Sequence, residues 1–207
     1  MDKFKIIALN RHRMRTDGDG VTTLVALSGC PLKCEYCINK NELSNLEVKE
    51  VTESELLAKV IIDYCYFVAT GGGITFGGGE PLLQSEMVLK FIDILPPDIK
   101  VNVETSLNCN NEFMGELITK VDSLIIDIKS LNKEVYEKYT KCNNDNTLKW
   151  LRFIVDNNLQ HKCTVRIPNI PDYTTKVDIE ETIKEIKDMG FSNIDTFNYI
   201  IKHNEGD

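Results

Sequence analysis

Cys30, Cys34 and Cys37 stand close together in Cys30-Pro31-Leu32-Lys33-Cys34-Glu35-Tyr36-Cys37, a C-x3-C-x2-C run, while Cys65, Cys109, Cys142 and Cys163 are scattered. A loop this compact can turn three thiolates onto one inorganic centre. Structural zinc would need a fourth ligand to close its tetrahedron. His12, His161 and His203 do not sit at zinc-finger spacing, and the scattered cysteines could serve only through tertiary contact. A 4Fe-4S cluster can be held by three cysteines and leave one iron open to a substrate, so the spacing favours a cluster over zinc or free buried thiols. Two further groups have types that could do chemistry. Asp127 and Lys129 follow the apolar run Leu124-Ile125-Ile126, which suggests a strand ending in a pocket, with a plain salt bridge as the alternative. Arg166, between Val165 and Ile167, lies in an apolar strand and requires a buried partner. No histidine lies near a strand-end nucleophile, which argues against Ser/His/Asp or Cys/His hydrolysis, and no P-loop is present.

These residues fall at the ends of regular elements. Val21 to Leu27 is β-branched and apolar, as a buried strand would be, and the cysteine run follows it directly. Further strands are expected at 74–76, 100–105, 124–128, 164–167 and 194–201. Helices are expected at 52–67, 82–95, 111–120, 133–139, 147–157 and 177–189. The first helix opens on a capping box, Thr52 with Glu55, and Pro96-Pro97 stops the second. Such alternation predicts a parallel sheet with right-handed crossovers. An open doubly wound sheet and a partial barrel both satisfy it, and in either fold the active groups gather at the carboxyl ends of the strands. The 124–128 strand is apolar enough to be covered on both faces.

The chain has 207 residues, 42% of them hydrophobic and 27% charged, which fits a single domain over 1–207 and excludes disordered and collagen-like classes. Its formal charge of −8 leaves no basic surplus for phosphate backbones, so no nucleic-acid partner is expected. The apolar run Ile6 to Leu9 is too short for a signal peptide, and 60–69 is too short to span a bilayer. The expectation is a cytoplasmic chain with no membrane association. An odd number of cysteines without a secretory signal argues against a disulfide framework, and the four cysteines outside the run are simplest as buried small hydrophobes.

Several motifs occur in a fixed order along the chain. Asp17-Gly18-Asp19-Gly20 precedes the first core strand, the cysteine run follows it, and then comes Gly71-Gly72-Gly73-Ile74-Thr75-Phe76-Gly77-Gly78-Gly79-Glu80-Pro81-Leu82-Leu83-Gln84. Val103-Glu104-Thr105-Ser106, Asp127-Ile128-Lys129 and Arg166 come after. From about Thr16 to Arg166 this series resembles the radical S-adenosylmethionine (SAM) superfamily, and within it the glycyl-radical-enzyme activating enzymes of the pyruvate formate-lyase activase type. The resemblance implies a partial (β/α)6 barrel of parallel strands alternating with helices, α/β in class. It implies a 4Fe-4S cluster on Cys30, Cys34 and Cys37, with SAM chelating the open iron. In the family Tyr36 fills the position that contacts adenine, Gly78, Gly79 and Glu80 bind the methionine amino group, and Asp127 and Lys129 contact other polar groups of SAM. Glu104 and Thr105 match the D-T pair that holds a monovalent cation beside the SAM carboxylate. Arg166 matches a strand-five arginine for which a SAM carboxylate or a substrate carbonyl would serve as partner. The implied reaction is reductive cleavage of SAM to methionine and a 5′-deoxyadenosyl radical, which takes hydrogen from a glycine of a large partner glycyl radical enzyme. A flavodoxin- or ferredoxin-like protein would be the electron donor.

The sequence departs from the family pattern at several points. Asp19 replaces a common proline, Gly77 a common serine and Glu104 the shorter aspartate. No accessory ferredoxin-like domain is inserted after Cys37, and the carboxyl-terminal P-(Y/F)-H-x-x-G signature is missing, with His203 as a stand-in only if it is not an ordinary surface histidine. That absence favours the rival reading, a radical SAM enzyme acting on a small molecule or peptide. A noncatalytic zinc-binding module is the alternative from a different class.

Overall fold

Eight strands form one sheet in the computed structural model, which describes residues 3–40, 43 and 48–199. In chain order they are β1 (Phe4–Met14), β2 (Val21–Leu27), β3 (Lys49–Val51), β4 (Gly73–Gly78), β5 (Lys100–Thr105), β6 (Ser123–Asp127), β7 (Cys163–Asn169) and β8 (Ile194–Asn198). Their spatial order is β3-β1-β2-β4-β5-β6-β7-β8. From β2 to β8 every pairing is parallel, and β1 and β3 add an antiparallel edge. Because the six parallel strands lie side by side in chain order, the sheet has no point where the winding reverses. That excludes the doubly wound alternative and places the crossover helices on one face, as in an open barrel.

Strand alternation sorts the two faces. Val25, Leu27, Ile74, Phe76, Val101, Val103, Leu124, Ile126, Val165 and Ile167 belong to the apolar cluster that the helices complete. The opposite face carries Thr75 beside Asn102, Glu104 beside Ile125, and Asp127 beside Arg166. Ile125 is buried there too, so β6 is covered on both faces as its composition required. The helices with both ends among the described residues are α1 (Glu53–Val60), α2 (Tyr64–Thr70), α3 (Ser85–Ile92), α4 (Met114–Lys120), α5 (Lys133–Thr140), α6 (Asp145–Asp156) and α7 (Lys176–Asp188).

The local expectations hold in outline and shift at boundaries. Thr52 and Glu55 form the capping box. The expected 52–67 helix is instead two helices joined by a 3-10 turn at Ile61–Asp63, where buried Asp63 accepts from Arg11 (2.8 Å) and Thr23 (3.0 Å). The 82–95 helix begins later, at Ser85, after a 3-10 turn capped by the Glu80 side chain. Two strands were not anticipated. β1 escapes a short-run reading because Arg11-His12-Arg13 interrupts its alternation, and its register with β2 shifts at that same place. β3 is a three-residue edge held by pairing with β1. The last strand ends at Asn198, and Ile200, Ile201 and His203 lie outside the described residues.

The Asp17-Gly18-Asp19-Gly20 segment lies against the polar face. Thr75 donates its hydroxyl to the Asp17 carbonyl, and Arg166 donates to the Thr16 carbonyl. Gly18 has φ +129°, and a Cβ there would sit 2.6 Å from Asn102 Nδ2, so only glycine lets the loop lie this close to β5.

Candidate active site

Gly29 (φ +91°) turns the chain out of β2 into the cysteine loop at the carboxyl end of the parallel strands. The loop is tied down from several sides. Lys33 N–H donates to the Thr140 carbonyl (2.9 Å) at the end of α5, and the Cys142 thiol donates to the Pro31 carbonyl (3.1 Å). Asn39 donates to the Gly78 carbonyl (2.8 Å), and Gln84 donates to the Ser28 carbonyl (3.1 Å) and accepts from Lys5 N–H (2.9 Å). Cys30, Cys34 and Cys37 are unpaired and half-buried. Burial pushes the Cys30 thiol up to about 12, with nearby Glu80 adding to the effect. It pushes Cys34 up to about 11, against the pull of Lys129. Among the described residues, no three His, Cys, Asp or Glu side chains converge as a group able to hold a metal ion, so the three thiols share a loop without closing on one point. The other cysteines follow the buried-hydrophobe expectation only at Cys109 and Cys163, because Cys65 is exposed and Cys142 is half-buried against the loop.

The glycine run sets β4 against this loop. Gly78 has φ +94°, and a Cβ on it would lie 2.7 Å from that of Ala26, while one on Gly79 would lie 2.1 Å from the Gly29 carbonyl oxygen. Gly79 N–H bonds the Leu27 carbonyl and Glu80 N–H the Gly29 carbonyl. The bare backbone is therefore needed for close contact with the cysteine-loop entrance. Glu80 is 1% exposed. Its carboxylate accepts from Thr105 Oγ1 (2.6 Å), Ser106 Oγ (2.6 Å), Ser106 N–H (2.9 Å) and Leu82 N–H (3.3 Å). Burial raises its pKa against those four donors. Glu80 and Thr105 thus brace the ends of β4 and β5, a use of both side chains that the motif alone did not suggest. Ser106 was singled out only as part of the run.

The polar face brings the remaining ionic residues together. Arg166 Nη1 donates to Glu104 Oε1 at 2.8 Å. Lys129 Nζ donates to Asp127 Oδ2 (3.2 Å) and to the Tyr199 hydroxyl (3.1 Å), with the Tyr199 ring centroid 5.7 Å away. Burial works to lower the Lys129 pKa, but Asp127 and Tyr199 outweigh it and hold the ammonium well above the ordinary lysine range. For Glu104, burial and then Asp127 raise the pKa, while Arg166 opposes them. Tyr36 packs its ring against Tyr139 (6.2 Å) and Tyr173 (6.0 Å) and donates its hydroxyl to Asp172 (3.2 Å). Tyr139 and Tyr199 also meet, at 6.3 Å. Tyr139, Tyr173 and Tyr199 had no distinguishing spacing in the sequence. Tyr199, inside the strand expected at 194–201, instead follows the end of β8 at Asn198.

The donor set fits an iron–sulfur cluster and a zwitterionic cofactor. Three unpaired thiols, of which burial raises the pKa of Cys30 and Cys34, become good ligands once a cationic centre compensates that burial. Asp127 Oδ1 is buried without a hydrogen-bond partner, and a polar ligand at this face would satisfy it. Of the two residues expected at a cation site, Glu104 has one carboxylate oxygen engaged by Arg166, and Thr105 gives its hydroxyl proton to Glu80.

Residues 24–186 match the family described as the Radical SAM superfamily. The pyruvate formate-lyase 1-activating enzyme of Escherichia coli (strain K12) is 27% identical over 197 residues, covering 92% of this chain and 77% of that protein. The pyruvate formate-lyase-activating enzyme of Staphylococcus epidermidis is 33% identical over 152 residues, covering 68% of this chain and 59% of that protein. Among solved structures, Streptococcus suis SuiB superposes with a TM-score of 0.66 at 15% identity, over 89% of this chain and 41% of that one. At that identity the likeness speaks to the fold alone, and the chain spans about two fifths of the SuiB length. No helix among the described residues is long and apolar enough to cross a membrane.

Proposed function

The chain belongs to the radical SAM superfamily, and from that premise we propose that it is a cytoplasmic activating enzyme that cleaves SAM reductively and takes hydrogen from a backbone glycine of a large partner glycyl radical enzyme. When bound at Cys30, Cys34 and Cys37, a 4Fe-4S cluster supplies the single electron for that cleavage, replenished by a flavodoxin- or ferredoxin-like donor. The observation that carries the reading is the cysteine loop itself: three unpaired, half-buried thiols at the carboxyl end of β2, with Lys129 and Asp127 within electrostatic reach of Cys34. The likeness to activating enzymes along most of the chain supports the choice of protein substrate.

The residues divide the work. Glu80, Thr105 and Ser106 hold the strand ends rigid, so backbone at Gly78 and Gly79 is fixed where an amino group can bind. Asp127 keeps one buried carboxylate oxygen free for a donor, and Lys129 remains charged beside it. The tyrosines at Tyr36, Tyr139, Tyr173 and Tyr199 form an apolar wall with polar edges, suited to covering an adenine and to keeping water from a reactive carbon centre.

Anaerobic reconstitution with iron and sulfide, a reductant, SAM and the candidate partner enzyme is expected to give a glycine-centred EPR doublet, and alanine at Cys30, Cys34 or Cys37 is expected to abolish iron loading and the doublet together. SAM cleavage without a protein radical in any glycyl radical enzyme would refute the activating role and leave a small-molecule or peptide substrate. A preparation that binds zinc and forms no 5′-deoxyadenosine would refute the enzyme reading altogether.

A further inference from the structure

Tyr36 in the cysteine loop and Asp172 in the turn after β7 meet across the carboxyl end of the sheet. Strands β4, β5 and β6 lie between β2 and β7. Paired strands run about 4.8 Å apart, so four steps would separate the roots of the two loops by about 19 Å in a flat sheet. The cysteine loop covers that span. It rests on α5, where Lys33 N–H donates to the Thr140 carbonyl, and it reaches Asp172 Oδ2, which accepts the Tyr36 hydroxyl at 3.2 Å. The turn that carries Asp172 is itself fixed. The N–H groups of Tyr173 and Thr174 both donate to the Ile170 carbonyl (3.1 and 3.0 Å), and Ile170 N–H donates to Thr174 Oγ1 (2.8 Å). Asp172 has φ +67°, a left-handed conformation that aspartate tolerates better than most residues. Two more rings flank Tyr36: Tyr139, which is fully buried, and Tyr173, set edge-on at 81° with Lys138 Nζ 5.3 Å from its centroid. Ring contacts fix where an aromatic side chain lies, but they are weakly directional. A hydrogen bond at the far end of the ring is directional and sets its tilt.

We infer that Asp172 is a positioning residue for Tyr36: the turn between β7 and α7 sets the tilt of that ring and, through it, the grip on the nucleoside end of SAM. The inference rests on the reading of the chain as a SAM-binding protein whose Tyr36 faces adenine. Asp172 itself touches neither the cofactor nor the reacting atoms, and what it contributes is an acceptor rather than a charge. Asparagine at 172 would keep an acceptor oxygen and tolerate the left-handed backbone, whereas glycine would keep the backbone and remove the acceptor.

The test measures SAM affinity by equilibrium dialysis on the anaerobically reconstituted chain, with iron content determined on the same samples. Asp172→Gly is expected to weaken binding roughly fivefold at unchanged iron content, and Asp172→Asn to stay within about twofold of the wild type. In a Tyr36→Phe background, where the hydroxyl is gone, Asp172→Gly should add less than about twofold. Wild-type affinity in Asp172→Gly overturns the inference. So does an asparagine variant as weak as the glycine one, which would make the charge the cause, or a full fivefold loss in the Tyr36→Phe background. Iron lost together with affinity would also overturn it, because the turn would then hold the cysteine loop rather than the ring. A wild-type chain that binds no SAM defeats the functional reading instead. The contact is then judged by thermal melts of the chain without cofactor. Tyr36→Phe is expected to lower Tm by roughly 1–3 °C in the wild-type background and by less than half as much in Asp172→Gly. Equal losses in both backgrounds would overturn the link between the two loops.

Discussion

Replacing Thr105 with valine removes one hydroxyl and keeps the shape, and the structure makes that oxygen the meeting point of two hydrogen bonds. Thr105 is 2% exposed and Glu80 1% exposed, so neither side chain can turn to water. The hydroxyl donates to Glu80 Oε1 at 2.6 Å and accepts from Leu107 N–H at 2.8 Å. A hydrogen bond to a charged group contributes about 1.5–3 kcal/mol, and a buried N–H left without a partner costs about 1–3 kcal/mol. The two losses share one atom and overlap, so the expected destabilisation is about 2–4 kcal/mol rather than their sum. Leu107 sharpens the effect, because its φ of +59° is a left-handed conformation that a leucine holds only when its surroundings enforce it. For a chain of this size the loss corresponds to a drop in Tm of roughly 5–15 °C. Thr105→Ser is the control: it keeps the oxygen, loses a methyl group and should cost only about 1 kcal/mol. Urea titrations of both variants without iron or SAM separate the brace from any ligand effect. A valine variant as stable as the serine variant would refute the account of Glu80 and Thr105 as a strand-end brace.

Other sites give equally direct expectations. Gly79→Ala forces a Cβ to within 2.1 Å of the Gly29 carbonyl oxygen, and since backbone cannot swing aside the variant should lose more than about 3 kcal/mol, seen as low folded yield and rapid proteolysis near the cysteine loop. Tyr199→Phe removes the acceptor 3.1 Å from the buried Lys129 ammonium and should weaken SAM binding by roughly tenfold, about 1.4 kcal/mol, in an equilibrium binding assay with iron content unchanged. The Asp63 carboxyl is held below its ordinary value of 3.8, first by the Arg11 hydrogen bond. A depressed acid adds stability above the unfolded-state pKa and loses it as pH falls through the folded value. The urea midpoint of the wild type should therefore fall toward that of Asp63→Asn as pH is lowered below about 4, and a gap that stays constant down to pH 2 would contradict the clamp.

The cysteine spacing, the glycine run and the capping box at Thr52 were legible in the sequence because each is a local device whose geometry is set within a few residues. The order of strands and helices was legible for the same reason, as periodicity is local. Whether the sheet wound one way or reversed was not, since both topologies bury the same apolar strands, and only the in-order pairing from β2 to β8 decides it. β1 escaped notice because its strand character depends on pairing with β2 across a register shift, which three consecutive basic residues conceal. The site divides along the same line. Residue types at 30, 34, 37, 127 and 129 announce their chemistry from the sequence, whereas the assignment of partners is tertiary. That Glu80 is saturated by Thr105 and Ser106, and that Arg166 answers Glu104, depend on side chains brought together from different strands. Hydrogen bonds and steric fit act over a few ångströms of space, and separation along the chain carries no record of them until the sheet has formed.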